Sequence, residues 1–491
     1  NAFIPYSIDI TGIIREGENE LLVYLDVGKR RVKDKPLTKY GVGEDYYRIW
    51  MRKPQFVFGW DWGPYLPTCG IWRPVELNSY ESSAIRDVYI RPTILGNKAR
   101  LEIDVEMENI TSEPFELDLS LSLKGDGEYG FGERFTLNPG INKKNYSLEV
   151  ENPRLWFPQP LGEPYLYSFK ATISDKAKEL DSYKCNYGIR EVKLIQEPMD
   201  EGESFIFSIN GKEVFCKGAD WVPADSLIAN VSREKYKKLV ELARSCNFNI
   251  FRVWGGGIYE DPYFYELCDK NGIMVWQDFM FACAPYPDDD SEFMEEVARE
   301  TATIIKELRN HSSLVLWCGN NENQWIHYMG AWGGRDTRLY GTKIYDELLP
   351  GLVKELDPTR PYWPSSPYGG EDPNSELCGD RHAWQLSLQI DDPYERINYR
   401  LYSLDKGKFI SEFGQLAPPL KRSLEEFTPE KELYLDSPTW KFHNNTAERG
   451  NIKAALERFF IPQEDLSLDE YLISGQMIQA EALKFALEHW K

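Results

Sequence analysis

From about residue 196 the hydrophobic period of the chain changes, and this change constrains the fold more than any other feature. Apolar runs of strand length begin to alternate with amphipathic runs of helical length. The strand-like runs are Glu213-Val-Phe-Cys-Lys-Gly-Ala-Asp220, Asn249-Ile-Phe-Arg-Val-Trp254, Gly272-Ile-Met-Val-Trp-Gln-Asp278 and Leu314-Val-Leu-Trp-Cys318. Helical stretches at 232–246, 261–270 and 291–309 separate them, and Ser232 suits an N-cap. Alternation at this spacing means parallel strands joined by crossovers. A closed barrel is favoured over an open sheet because Asp220, Trp254, Asp278, Glu322 and Glu412 recur at successive strand ends, where a barrel collects them at one mouth. Gly255-Gly-Gly257 lacks the spacing of a nucleotide loop.

The strand that ends at Glu322 is the fourth of this series. A fifth is expected near 360–365 and a sixth near 381–384, and Glu412 ends the seventh. Residues 467–490 are then helical up to the end of the sequence at Lys491. The expectation for 196–491 is therefore a (β/α)8 TIM barrel lacking its last strand. Upstream, the period is two. Val88-Tyr-Ile-Arg-Pro92, Ala99 to Glu106, Glu116 to Leu123 and Tyr165 to Ile173 alternate between turn residues, which predicts an immunoglobulin-like β-sandwich over 81–195. Residues 1–80 are expected to form strands at 6–14 and 19–26, as the C-terminal part of a jelly-roll-like sandwich. The Gly- and Pro-bounded Phe58-Gly-Trp-Asp-Trp-Gly-Pro64 is a loop in which two Trp flank Asp61.

The totals exclude some partners. The 491 residues exceed one domain, and a net charge of −22 argues against nucleic acid and anionic membranes. No apolar run has the length of a spanning helix. The eight cysteines are scattered without a CxxC pair, which reads as free thiols and not as a metal site. This usage leans towards a cytoplasmic protein and leaves lysosomal or secreted locations open; the oligomeric state is not encoded in any pattern. Trp, Tyr and Phe make up 14% of the chain. Rings stack on pyranose faces, although large folds also bury many rings.

The chemistry rests on two strand ends. Leu314 to Cys318 runs into Gly319-Asn-Asn-Glu322, and Lys408-Phe-Ile-Ser-Glu412 runs into Phe413 and Gly414. A lone Glu after a strand is more often a neighbour of a helix start or a surface group. Two such ends in one barrel provide the carboxylate pair that glycoside hydrolysis needs, one protonated to assist departure and one ionised to attack. Asn321 beside Glu322 offers an amide to a sugar hydroxyl, and Gly414 permits close backbone approach. These residues alone do not say which Glu has which role.

The loop Phe58-Gly-Trp-Asp-Trp-Gly-Pro64, Lys217-Gly-Ala-Asp-Trp-Val-Pro223, Arg252-Val-Trp-Gly-Gly-Gly-Ile-Tyr-Glu260, Val275-Trp-Gln-Asp-Phe-Met-Phe281, Trp317-Cys-Gly-Asn-Asn-Glu322 and Ser411-Glu-Phe-Gly414 resemble glycoside hydrolase family 2, and within it the β-mannosidase branch. The resemblance covers essentially the whole chain. It implies Glu322 as general acid/base and Glu412 as nucleophile, with net retention and no metal or organic cofactor. It further implies Asn321 at the 2-hydroxyl, Trp254 in the terminal mannose pocket, Asp61 on distal hydroxyls, His382 and Trp384 as an aromatic wall, and Trp332 as a further ring. The family's Trp-His-Gly run after that wall is replaced here by Leu386-Ser-Leu-Gln-Ile390. The same comparison makes the chain an internal segment lacking both ends, for which low activity in isolation is expected. The expected function is a retaining exo-β-mannosidase acting on oligosaccharides with terminal β-mannose. Its rivals are a β-galactosidase, β-glucuronidase or exo-glucosaminidase of the same family, or a non-catalytic carbohydrate-binding protein.

Overall fold

The structure, a computed structural model, describes residues 1–444, 450–458 and 466–491. It divides into two compact units. The first comprises Asn1–Phe58, Leu66–Gln196 and Ile206–Ser366; the second comprises Gly59–Tyr65, Glu197–Phe205 and Pro367–Lys491.

In the first unit, seven antiparallel strands build two sheets. They are β1 (Ser83–Leu95), β2 (Lys98–Asn109), β3 (Phe115–Lys124), β4 (Glu128–Leu137), β5 (Gly140–Glu151), β6 (Tyr167–Asp175) and β7 (Lys178–Tyr187), in the orders β1-β2-β5 and β4-β3-β6-β7. The period-two pattern is realised on their inner faces. Ala99, Leu101, Ile103 and Val105 of β2 share one core with Leu117, Leu119, Leu121 and Leu123 of β3. Each such leucine contributes about 1.5–3 kcal/mol by leaving water. The strands β4, β5 and β7 were not legible in the sequence. In β4 only Phe135 and Leu137 are buried, so its alternation is faint. A small antiparallel sheet follows, made of β8 (Val192–Ile195), β9 (Ile206–Ile209) and β10 (Lys212–Val214).

The parallel strands come next: β11 (Gly218–Trp221), β12 (Ile250–Val253), β13 (Met274–Asp278), β14 (Leu314–Cys318) and β15 (Tyr362–Trp363), hydrogen-bonded in that order. Every residue of β12, β13 and β14 is buried, as strands covered on both faces require. Crossover helices lie between them at Arg233–Ser245, Pro262–Asn271 and Ser291–Leu308. Side chains of Ser232, Asp261 and Asp290 accept from the backbone N–H groups of Lys235, Tyr263 and Phe293 and so cap all three. The run 213–220 is not one strand: it breaks between β10, antiparallel to β9, and β11, parallel to β12.

The expectation of strands before residue 80 is corrected. Among residues 1–82 no β-strand forms; Leu21, Leu22 and Tyr24 are 73%, 89% and 81% exposed. Alternation marks a face fit for burial, but a strand exists only by pairing, and no described residue pairs with 6–14 or 19–26. Part of this segment is nonetheless anchored. Phe3, Tyr40, Ile49 and Trp50 join the core that holds Tyr259, Phe279 and Phe293, and Arg52 meets Glu300 at 2.6 Å with both side chains buried.

The second unit contains β16 (Arg381–His382) and β17 (Ile410–Glu412), parallel to each other, with His382 opposite Glu412. Its longest helix, Leu468–Trp490, starts in a capping box between Ser467 and Glu470. Trp490 at its end packs edge-on against Phe413 and Tyr402. The fifth, sixth and seventh parallel strands expected from the sequence are thus present as β15, β16 and β17, each only two or three residues long. Among the described residues no helix is long and apolar enough to cross a membrane.

Candidate active site

In the first unit, the C-terminal ends of the parallel strands carry a buried polar network. Arg252 of β12 donates to Asp278 Oδ2 at 2.7 Å, to Asn321 Oδ1 at 2.7 Å and to Asp220 Oδ1 at 3.2 Å. Asp278 also accepts from the indole of Trp276 at 2.9 Å and from the backbone N–H of Gly255 at 3.0 Å. Burial raises the pKa of Asp278, and the Arg252 guanidinium counters this. One cation thus ties the ends of three strands to Asn321, which is 2% exposed.

Glu322 sits at the N-cap position of the helix Asn323–Tyr328, a common place for a Glu that follows a strand. Its side chain makes no capping bond. Asn320 caps in its place, accepting from Asn323 N at 3.0 Å. Glu322 has φ +64°, the left-handed region, which costs a non-glycine residue of order 1 kcal/mol or more. The turn carries its carboxylate to Cys283, whose thiol donates to Oε2 at 3.3 Å. Asn321 Nδ2 in turn donates to the same sulfur at 3.4 Å.

Trp254 follows β12 and is 4% exposed, so its ring is largely covered. It lies across Gly256: a Cβ there would stand 1.9 Å from the ring, so only glycine fits. Trp332 is half-buried in a loop, itself at φ +55°, and packs against the core that contains Tyr40 and Trp50.

In the second unit, Glu412 ends β17 at 8% exposure. The Trp384 indole N–H donates to Glu412 Oε2 at 2.8 Å, and His382 Nδ1 lies 3.3 Å from the same oxygen. His382 is fully buried, and Asn374 clamps its backbone from both sides, accepting from its N–H at 2.8 Å and donating to its carbonyl at 2.9 Å. Asp380 accepts from Ser411 Oγ at 2.6 Å, bracing the strand beside Glu412. A Cβ on Gly414 would meet the Trp384 ring at 3.4 Å, an ordinary contact, and φ is not positive there, so the close approach that Gly414 permits is to this ring and does not require glycine. Asp61 is exposed on a tight turn in which Trp60 and Gly63 exchange backbone hydrogen bonds. Its loop, Gly59–Tyr65, belongs to the same compact unit as Glu412 although it lies about 350 residues earlier in the chain.

The structure therefore groups Asn321 and Glu322 in one unit, and His382, Trp384 and Glu412 in the other. Cys283 was missed by the sequence reading. It carries no spacing signal, because its contact to Glu322 depends on two left-handed residues, Cys283 at φ +45° and Glu322. Arg252 opens the run Arg252 to Glu260, but nothing in that run signals its bonds to Asp220, Asp278 and Asn321.

The family model "Glycosyl hydrolase 2 galactose-binding domain-like" matches residues 1–73, "Glycosyl hydrolases family 2" matches 83–190, and "Glycosyl hydrolases family 2, TIM barrel domain" matches 203–365. The chain belongs to glycosyl hydrolase family 2, and its architecture is that family's: a galactose-binding-like segment, an immunoglobulin-like sandwich and a TIM barrel. Among its relatives, the chain is 33% identical over 516 residues to beta-mannosidase B of Thermothelomyces thermophilus and 34% identical over 513 residues to that of Emericella nidulans. Both alignments cover all of this chain and 59% of the relative. The crystal structure of a beta-D-mannosidase from Dictyoglomus thermophilum matches with a TM-score of 0.86 at 42% identity, over 94% of this chain and 56% of that one. The chain thus spans less than two thirds of the length of these relatives.

Proposed function

We propose that the chain carries the machinery of a retaining, exo-acting β-mannosidase that releases terminal, non-reducing β-D-mannose from oligosaccharides. The observation that carries this reading is a strand-end carboxylate in each unit, Glu322 after β14 and Glu412 on β17, in a chain 42% identical to a beta-D-mannosidase. In the first step Glu412 attacks the anomeric carbon while protonated Glu322 gives its proton to the leaving oxygen, so the glycosidic bond breaks and an α-mannosyl ester forms. In the second step Glu322 takes a proton from water, the water attacks the ester, and β-mannose leaves with Glu412 regenerated. The Trp384 N–H at Oε2 supports an ionised, oriented nucleophile. Arg252 on Asn321 Oδ1 fixes which way the Asn321 amide faces, and in this reading that amide serves the 2-hydroxyl. Further candidates for sugar contacts are Trp254 and Trp332 in the first unit, and His382, Trp384 and Asp61 in the second. Residues 196–491 form the catalytic part in this reading, with 1–80 and 81–195 as supports.

The test is hydrolysis of a panel of p-nitrophenyl glycosides by the intact protein, with the anomer of the first product read by NMR. The expected result is turnover of the β-mannoside, with β-mannose formed first. Preference for the galactoside or glucuronide would overturn the substrate, and α-mannose as first product would overturn the double displacement.

A further inference from the structure

Cys283 stands where a glycosidase acid/base needs a particular kind of neighbour. Its thiol donates to Glu322 Oε2 at 3.3 Å and accepts from Asn321 Nδ2 at 3.4 Å. The residue is held there at φ +45°, a conformation that a non-glycine side chain keeps only when its surroundings impose it. Four backbone contacts do so. Cys283 N donates to Asn321 O at 3.0 Å, and Asn321 N donates to Phe281 O at 2.9 Å. Arg48 donates to Cys283 O at 2.8 Å and to Ala282 O at 3.2 Å. The acid/base, its neighbouring amide and the thiol are thus built as one unit around the end of β14.

We propose that Cys283 is a positioning residue for the acid/base: its thiol holds the Glu322 side chain in both protonation states of the catalytic cycle. The proposal rests on the assignment of Glu322 as acid/base. A carboxyl group that must both give and take a proton is poorly served by a charged or strongly donating partner, which would stabilise the ionised state alone. A thiol is a weak donor and a weak acceptor. It donates to the carboxylate after proton transfer, and it accepts from the carboxylic acid before it. Burial, and then the charge of Glu322, hold the thiol well above its ordinary range, so it stays neutral throughout. Charged or titratable groups that also face this cluster within the first unit include Arg48 and Tyr286 at Cys283, and Arg252 with Asp220 and Asp278 at Asn321.

The experiment compares native protein with Cys283→Ser and Cys283→Ala on two substrates. Phenyl β-D-mannoside needs a proton on its leaving group, whereas dinitrophenyl β-D-mannoside does not. Losing a weak hydrogen bond to the acid should lower kcat/KM for the phenyl substrate by roughly 3- to 10-fold in Cys283→Ala and leave the dinitrophenyl substrate nearly unaffected. The alkaline limb of kcat/KM for the phenyl substrate should move in a fixed order, lowest for Ser, the stronger donor to the ionised acid, then native, then Ala. A purely structural thiol would not produce that order. Coincident limbs in all three proteins with unchanged melting temperatures would overturn the proposal, as would equal losses on both substrates. A parallel Glu322→Gln variant separates the two levels. If it shows no dependence on the leaving group, the assignment of Glu322 itself fails, whatever Cys283 does.

Discussion

Glu322 and Glu412 both stand at the ends of short parallel strands, and their surroundings differ in kind. Glu322 lies in a left-handed turn beyond β14, next to a neutral thiol that is both a weak donor and a weak acceptor. Glu412 lies within β17 itself, with an indole N–H at 2.8 Å and a histidine at 3.3 Å on one oxygen. The thiol beside Glu322 can donate to an ionised carboxyl group and accept from a protonated one. The surroundings of Glu412 favour the ionised state and fix its orientation, because a donor to a carboxylate stabilises the charged form. In the proposed reading, these two surroundings suit the same residue type to different roles.

Four variants would break or sharpen this contrast. Glu412→Ala should remove the most, at least about 10^4-fold of kcat/KM on p-nitrophenyl β-D-mannoside, because the covalent step disappears. Added azide should restore turnover and yield the α-mannosyl azide; a β-azide would reverse the two roles. Glu322→Gln should cost about 10^2- to 10^4-fold on phenyl β-D-mannoside and far less on the dinitrophenyl substrate. An equal loss on both would mean that Glu322 does not supply the proton. Trp384→Phe keeps a ring and removes the N–H. A hydrogen bond to a charged group is worth about 1.5–3 kcal/mol, so kcat/KM should fall about 10- to 100-fold, and an unchanged value would mean that the indole only packs.

The smallest effect should fall on stability alone. Glu260 is 1% exposed and accepts from Trp221 Nε1 at 2.9 Å and from the Tyr236 hydroxyl. Burial pushes its pKa up to about 7, against the pull of these donors. The folded value lies above the unfolded one. Its contribution to stability is therefore fully present below about pH 4.5 and is lost as pH rises through about 7. Glu260→Gln mimics the protonated side chain, whose N–H can donate to Tyr236. Thermal melting at pH 8 should show this variant about 1–3 kcal/mol more stable than the native protein, with the gap closing towards pH 5. A gap independent of pH would show that Glu260 does not titrate in that range. Unlike the three changes above, this one should leave kcat/KM at neutral pH close to native, which separates a dry structural carboxylate from the two proposed to react.

The limits of the sequence reading follow from particular residues. The strands β12 to β14 were legible because burial on both faces demands continuous apolar runs, and the sandwich core was legible because Leu117, Leu119, Leu121 and Leu123 repeat with period two. The strands β4, β5 and β7 were not, since much of their surface faces solvent and their alternation is diluted. The segment 19–26 alternates as a strand should, yet pairs with nothing described.

Local order along the chain, then, determined much by itself: the switch from period two to strand–helix alternation, the capped crossover helices, and the placing of Asn321, Glu322 and Glu412 at strand ends. These depend on neighbours a few residues apart, and the backbone periods express them directly. Tertiary structure alone decided the partners. Trp384 and His382 reach Glu412 across some 30 residues, Cys283 reaches Glu322 across 39, and the Asp61 loop joins the unit of Glu412 across some 350. Hydrogen bonding and desolvation act through space, so the character of each carboxylate is set by contacts that no spacing in the sequence records.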